Sequence, residues 1–294
     1  MINLNRLAMF VAVVDAGSFT AAALALGTTK AVVSFNIKQL EHELGVALLV
    51  RSTRRLAMTE AGEGFYADCA NLLRQADAAV DTARAGQGDL SGSLRVTASV
   101  DYGNRVVAPA LAAFARQHPV LRIHYQAGSA HADLISERLD LAIRVGAQED
   151  SRHRAARIGE FKLLLVAAPD LLARHGMPRT AQALAALPWL ANRTGRSDHW
   201  RLADSKGREH ELRVEPVAQA DTASALLAFA LAGCGVAALP DWLLQEPLAR
   251  GELRRVLPSY TLPPQPVYAV YPDTRHVSAK VRQFIDFLRE RSGG

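Results

Sequence analysis

Cysteine is scarce in this chain: its 294 residues carry two, Cys69 and Cys234, far apart in sequence. Neither has a partner at CxxC spacing, which excludes a disulfide scaffold and a dithiol redox centre. Both read as reduced thiols in a reducing cytoplasm. Long apolar runs are missing as well. The richest stretch, Ala223 to Leu239, is broken by Ser224, Gly233 and Gly235 and reads as buried helix and strand, not as a membrane span. Asn3, Asn5 and Arg6 interrupt the first turns, and no small-residue cleavage site follows an apolar segment. No secretory leader and no membrane partner are therefore expected, and the expected location is cytoplasmic.

Catalytic motifs are equally sparse. The nine histidines are scattered. His118, His124 and His131 form the nearest set but fall on different predicted elements, and no spacing matches HExxH or a zinc pair. There is no GxSxG elbow and no P-loop. Gly233-Cys234-Gly235 sits at a helix end before a strand, the wrong order for a dinucleotide loop, and Cys234 has no evident base to activate it. The sequence thus predicts no metal, no cofactor and no enzymatic reaction.

What is present is a globular chain: 49% of residues are hydrophobic and the formal net charge is +5. That excludes disorder, and the length asks for at least two domains. A modest basic excess is compatible with a polyanionic partner without requiring one.

The N-terminal part reads as helices. Leu4, Leu7, Ala8, Phe10, Val11 and Val14 lie at helical spacing, with Gly17 closing the helix and Ser18 capping the next, Phe19 to Leu26. Gly27, Thr28 and Thr29 form a break, with Thr28 or Thr29 able to cap a third helix, which runs from about Lys30 to Leu44 on an apolar face of Val33, Ile37, Leu40 and Leu44. Short apolar runs then flank a basic tip, Arg51, Ser52, Thr53, Arg54 and Arg55, which reads as a hairpin or wing. Thr59 caps a long helix reaching about Ala85, with Glu60 and Glu63 at its positive end. It lies between two composition regimes, so it is expected to connect domains and to pair with a copy of itself.

Gly86, Gly88, Ser91, Gly92 and Ser93 mark a hinge. Beyond it, strands and helices alternate: Leu94–Ala98, Arg105–Gln117, Val120–Gln126, Ala132–Leu139, Leu141–Val145 and Phe161–Ala168. This predicts an α/β domain with a mostly parallel sheet, long enough for two lobes. The expected division is a winged helix-turn-helix over 1–59, a linker helix and hinge over 60–92, and an effector-binding domain over 93–294.

Helix, short helix, glycine-containing turn, helix is the layout of a DNA-reading head. The third helix and the turn before it offer Thr28, Thr29, Lys30, Ser34, Asn36, Lys38 and Gln39. Hydroxyls and amides suit base edges, and lysines suit phosphates or guanine. The wing residues Arg51 to Arg55 suit phosphate or minor-groove contact. The competing reading is a three-helix bundle with a solvated face; the basic wing favours DNA.

In the α/β domain, ligands are expected beyond the carboxyl ends of the strands. Those ends carry Ser99, Val100 and Asp101, then Ser129, then Arg144, with Arg193, Thr194, Asp221 and Thr222 at comparable positions in the second lobe. Helix-start amides there favour an anion such as a carboxylate, while Asp101 opposes a dianion. Ser99 and Ser129 either cap helices or meet ligand. Arg144 either meets ligand or pairs with Asp140 or Asp101. Trp200 is a candidate for the cleft wall, and Trp189 reads as core.

The run Phe10-Val11-Ala12-Val13-Val14-Asp15-Ala16-Gly17-Ser18-Phe19-Thr20-Ala21-Ala22-Ala23 resembles the opening of LysR-type transcriptional regulators. So do Val33-Ser34, Ile37-Lys38-Gln39-Leu40-Glu41, Leu44-Gly45, Leu48 to Arg51, Thr59-Glu60-Ala61-Gly62, Gly92-Ser93-Leu94-Arg95, Gly233 to Ala237 and Leu239-Pro240. The resemblance covers the whole chain. It implies a dimer joined by the linker helices, often assembled as a tetramer, that binds double-stranded DNA at an interrupted palindrome. It also implies a periplasmic-binding-protein-like effector domain, with lobe I over about 93–160 and 266–294, lobe II over about 161–265 and the effector cleft between them; with the helix-start amides, the expected small-molecule effector is a carboxylate or aromatic acid. By position, Lys30, Ala31, Ser34 and Phe35 match residues that meet DNA. The family usually has proline in place of Ala31 and often arginine in place of Phe35. Phe35 cannot hold a phosphate by charge; it either packs on thymine methyls or is buried. The alternative function is a small-molecule binding protein with an accessory helical domain and no specific DNA target.

Overall fold

A computed structural model describes residues 3–51, 56–84, 90–128, 134, 139–146, 153–193, 198–273 and 277–292. The head begins with α1 (Leu4–Ala16), α2 (Phe19–Ala25) and α3 (Lys30–Leu44), followed by β1 (Leu49–Arg51) and β2 (Leu56–Met58) and then the long α4 (Glu60–Arg84). The caps are those the sequence suggests. Ser18 Oγ accepts from the Ala21 N–H at 3.1 Å and Thr29 Oγ1 from the Val32 N–H at 3.3 Å, each satisfying a donor that the first helical turn leaves open. Gly45 ends α3 at φ +71°, a left-handed conformation that glycine adopts without a Cβ clash. Phe10, Val13, Ala22, Val33, Ile37, Leu40 and Leu48 close the core of the head, and Tyr66 and Cys69 of α4 pack into it.

The second regime contains β3 (Ser93–Ala98), α5 (Val100–Tyr102), a π-helical turn (Gly103–Val107), α6 (Ala108–Gln117), β4 (Arg122–Ala127), β5 (Leu141–Val145) and β6 (His153–Phe161). Next come β7 (Leu163–Ala167), α7 (Pro169–His175), α8 (Ala181–Ala185), β8 (Trp189–Asn192), β9 (His199–Ala203), β10 (Glu209–Arg213) and β11 (Pro216–Ala220). The chain finishes with α9 (Ala223–Leu231), β12 (Val236–Pro240), α10 (Gln245–Ala249), β13 (Arg254–Arg255), β14 (Gln265–Pro272) and α11 (Ala279–Ser292).

These strands build two five-stranded sheets, ordered β4-β3-β5-β14-β6 and β11-β8-β12-β7-β13, beside a β9–β10 hairpin. The chain leaves the first sheet after Phe161, enters the second at Leu163 and returns with β14. The mostly parallel sheet expected from the sequence is corrected here. β3 runs parallel to β4 and β5, but β14 is antiparallel to both β5 and β6. In the second sheet β8 runs parallel to β11 and β12, whereas β7 is antiparallel to β12 and β13. Helical crossovers enforce parallel neighbours; β7 and β14 arrive from the other sheet and escape that rule.

Two further differences concern the first lobe. The helix expected from Arg105 starts at Val100 and carries a π turn over Gly103–Val107. β6 escaped the sequence reading because it is an edge strand and buries only Ile158 fully. The expected helix over Ala132–Leu139 lies largely outside the described residues.

Each sheet has its own core. In the first, Phe114 of α6 meets Phe284 of α11 with ring centroids 5.2 Å apart, over Leu94, Val96, Leu141 and Ile143. In the second, Trp189 is fully buried; its Nε1–H donates to the Leu184 carbonyl at 3.0 Å and its ring stacks on Trp200. Trp200 thereby joins the core of the second sheet.

Candidate functional site

The head fixes α3 by polar ties on both sides of its core contact. Glu41 Oε1 accepts from the Leu48 N–H at 2.8 Å and the Leu49 N–H at 3.1 Å, which pins the wing strand to α3. Arg6 of α1 pairs with Glu43 of α3. Thr59 donates its hydroxyl to the Ala47 carbonyl at 2.8 Å and accepts from the Gly62 N–H at 2.9 Å. A Cβ on Gly62 would lie 2.1 Å from the Leu48 carbonyl oxygen, so only glycine lets α4 approach the wing this closely.

With Val33, Ile37 and Leu40 buried, the opposite face of α3 is set by helical periodicity. It presents Ala31, Phe35 and Lys38, all exposed, and Lys30 opens the helix, also exposed. Ser34 and Asn36 flank this face and are half-buried, as is Thr28 before it. Asn36 Nδ2 donates to the Val32 carbonyl at 2.9 Å, leaving its side-chain oxygen for other partners. Phe35 is 64% exposed, which removes the buried alternative. Val32, 41% exposed beside it, was missed from the sequence because a valine next to the core residue Val33 reads as core. β1 and β2 pair antiparallel, Arg51 opposite Leu56. Ser52, Thr53, Arg54 and Arg55 lie outside the described residues.

Between the two sheets, Asp101 makes a polar tie. It follows β3, and its carboxylate accepts from the backbone N–H of Ala223 at 2.5 Å and of Ser224 at 3.3 Å. These are the first two residues of α9, on the second sheet. A helix N-terminus combines open N–H donors with a positive dipole end, so Asp101 fills an anion seat with the chain's own carboxylate. Thr222 also serves that terminus, its Oγ1 accepting from the Ala225 N–H at 3.3 Å.

Ser99 stands at the start of α5 without a side-chain cap hydrogen bond. Val100 is exposed, Arg144 half-buried near the end of β5, and Asp221 and Arg193 exposed on the second lobe. The Arg193 N–H donates to the Ala220 carbonyl at 2.9 Å, holding the ends of β8 and β11 together. Ser129 and Thr194 lie outside the described residues. Asp140 accepts from the Arg95 N–H at 2.8 Å. Burial pushes its carboxyl above the ordinary range, against the pull of that N–H and of the charges on Lys280, Arg95 and Arg74.

An aromatic cluster that the sequence reading missed sits where the chain passes between sheets. Phe161, the last residue of β6, stacks on Tyr102 at 5.9 Å, and Trp242 meets both rings edge-on at 6.1 and 5.8 Å. Its members come from three distant parts of the chain, so no local pattern announces it. Among the described residues, no three His, Cys, Asp or Glu side chains converge as a metal site requires, and no single helix is long and apolar enough to cross a membrane.

Comparison with known proteins agrees with this geometry. The model of the bacterial regulatory helix-turn-helix protein of the lysR family matches residues 4–63, and that of the LysR substrate binding domain matches residues 87–293. The chain is 38% identical to the HTH-type transcriptional regulator PtxR of Pseudomonas aeruginosa, over 99% of this chain and 94% of the relative. It is 32% identical to the HTH-type transcriptional regulator CrgA of Neisseria meningitidis, over 99% and 97%. Among solved structures, full-length AphB, a Vibrio cholerae virulence activator, matches with a TM-score of 0.60 at 32% identity, covering 98% of each chain. CrgA matches with a TM-score of 0.61 at 31% identity, covering 100% of each. A DNA-reading helix-turn-helix head, a linker helix and a two-lobed effector domain thus occur together in one chain, which belongs to the LysR family of bacterial transcription regulators.

Proposed function

We propose that the DNA interface of this regulator is the exposed face of α3 together with the basic wing, and that its effector sits between the two sheets. In this reading Lys30, Ala31, Ser34, Phe35, Asn36 and Lys38, with Thr28 and Thr29 at the turn, enter the major groove. Arg51 to Arg55 of the wing follow the backbone. The residues divide as 1–59 for the head, 60–92 for linker and hinge, and 93–294 for the effector domain. The protein works in the cytoplasm, where its DNA is, and binds its effector without transforming it.

The assembly is a homodimer, or a tetramer built from dimers. Leu72 (45% exposed) and Val80 (47% exposed) flank Ala76 at successive helical repeats on α4. Such an apolar stripe on a long helix is what a second copy covers. Two copies joined there carry two α3 helices to the halves of an interrupted palindrome.

The observation that carries the effector reading is the bond from Asp101 to α9. An effector carboxylate entering the cleft competes with Asp101 for the Ala223 and Ser224 amides, with Ser99, Val100, Arg144, Arg193, Asp221 and Thr222 as its proposed contacts; Ser129 and Thr194 complete the proposed set. Exchange of one carboxylate for the other changes the tie between the lobes. Bound effector shifts the packing of effector domains only through different affinity for the two arrangements, and α4 transmits the change to the heads.

The test is a titration of the purified full chain against its own upstream intergenic DNA and against random DNA, across a salt series. Specific binding is expected with a steep negative salt slope. Replacing Arg54 and Arg55 by alanine is expected to weaken binding to all sequences and flatten the slope by about two phosphate contacts. The same assay then screens small carboxylates and aromatic acids. An unchanged slope in the double variant overturns the wing assignment.

A further inference from the structure

In the N-terminal half of α3 the centre of the outward face is apolar. Phe35 stands there, directly opposite the buried Val33 and Ile37, with Ala31 one turn before it and Val32 beside it, while the exposed His42 continues that face two turns on. An exposed phenylalanine on a short helix-turn-helix is unfavourable in water, and nothing among the described residues of the head covers this one. Its neighbours suggest what does. Lys38 lies one turn further on the same face and Lys30 opens the helix, both exposed. The apolar patch is thus framed by cations, complementary to a surface that is anionic at its edges and carries an apolar group at its centre.

The major groove of B-DNA has that character. Phosphates line its rims, and on its floor the 5-methyl of thymine is the apolar group among hydrogen-bonding edges. We propose that Phe35, assisted by Ala31 and Val32, is a specificity-determining residue that selects thymine in each operator half-site through its 5-methyl group. The proposal rests on α3 being the DNA-reading helix. A guanidinium at this position would be directed to guanine O6 and N7; the phenyl ring has no donor and reads hydrophobic shape instead. Lys30 and Lys38 set the register by contacting phosphates, and Ser34 and the free side-chain oxygen of Asn36 read adjacent edges.

Exchange of deoxythymidine for deoxyuridine isolates the methyl group, because pairing and every polar edge stay the same. The full-length protein first selects its preferred duplex from a random pool. Each thymine of that duplex is then replaced singly by deoxyuridine and binding is titrated. One thymine per half-site is expected to show a loss of about fourfold, the worth of one buried methyl group, and both half-sites together about fifteenfold. Phe35→Ala is expected to bind the thymine and uracil duplexes equally, and Phe35→Leu to keep part of the preference. Both variants alter an exposed side chain, so unfolding temperature and circular dichroism should match the parent. Binding that is specific yet indifferent to every uracil exchange overturns the proposal and leaves the regulator reading intact. So does a Phe35→Ala protein that keeps the parent's uracil sensitivity, or one whose oligomeric state changes, which makes the ring a contact between copies. Absence of any specific binding overturns both readings.

Discussion

The carboxylate of Asp101 and the backbone N–H of Ala223 meet at 2.5 Å, although 122 positions separate them in sequence and their helices, α5 and α9, follow strands of different sheets. The chain thereby places an anion at the first turn of α9 from outside that helix. Replacing Asp101 by alanine is expected to expose the Ala223 and Ser224 amides to solvent. Their hydrogen exchange should quicken by about tenfold or more, since a hydrogen bond to a charged group stabilises by about 1.5–3 kcal/mol. Asp101→Asn keeps an acceptor oxygen without the charge and should fall between. Exchange rates equal to the parent's in both variants would mean that the tie does not persist in solution.

Leu72 and Val80 present their side chains outward from α4, while Tyr66 and Cys69 of the same helix are buried in the head. One helix therefore serves two surfaces. Leu72→Glu is expected to convert dimers to monomers in sedimentation, because a carboxylate at the centre of an apolar helix contact must be desolvated without a partner. Specific DNA affinity should fall with it, as two half-sites no longer bind as one unit. A dimer of unchanged affinity places the joining surface elsewhere.

Much of the head was legible in the sequence because its signals are local. Ser18 and Thr29 cap, Gly17 and Gly45 terminate, and Val33, Ile37 and Leu40 mark one helical face; the structure uses each in that role. The effector domain was legible only in part. β6 hides its period because an edge strand buries little, and β7 and β14 take their direction from crossings between sheets that no short window contains. The same limit applies to the site. Asp101 could be singled out at a strand end, but its partner at α9 depends on long-range topology, as does the meeting of Tyr102, Phe161 and Trp242. The exposure of Phe35 was undecided in sequence, since a phenylalanine within a helix fits a core as readily as a surface.

The two thiols differ in environment and should differ in reactivity. Cys69 is buried between α4 and the head, and burial, with the nearby charge of Asp68, pushes its thiol up to about 11. Cys234 is exposed. At pH 8 the thiolate is the reactive form, so an aromatic disulfide reagent should titrate one thiol in the native protein and both in denaturant. Cys234→Ser should leave the native protein nearly silent. Rapid modification of Cys69 in that variant would mean that α4 separates readily from the head.

Asp140 offers a pH-dependent test of the first lobe. Burial raises its folded pKa above the unfolded value, near 3.9, so the native state holds this proton more tightly than the unfolded chain does. The sign follows from proton uptake. Over the window from the unfolded value up to the folded one, the native state binds more protons, and stability falls as pH rises. Asp140→Asn, uncharged at every pH, lacks this fall. Near pH 4 its stability should approach the parent's, and it should gain on the parent as the pH is raised towards neutrality. Asp140→Ala additionally leaves the Arg95 N–H without its acceptor, now 2.8 Å away. It should therefore lie below the asparagine variant by about 1–3 kcal/mol throughout. Urea unfolding of the three proteins between pH 4 and pH 8 separates the two effects. If the parent instead gains on the asparagine variant with rising pH, attraction from Lys280, Arg95 and Arg74 outweighs desolvation, and the carboxylate is a stabilising member of that cluster.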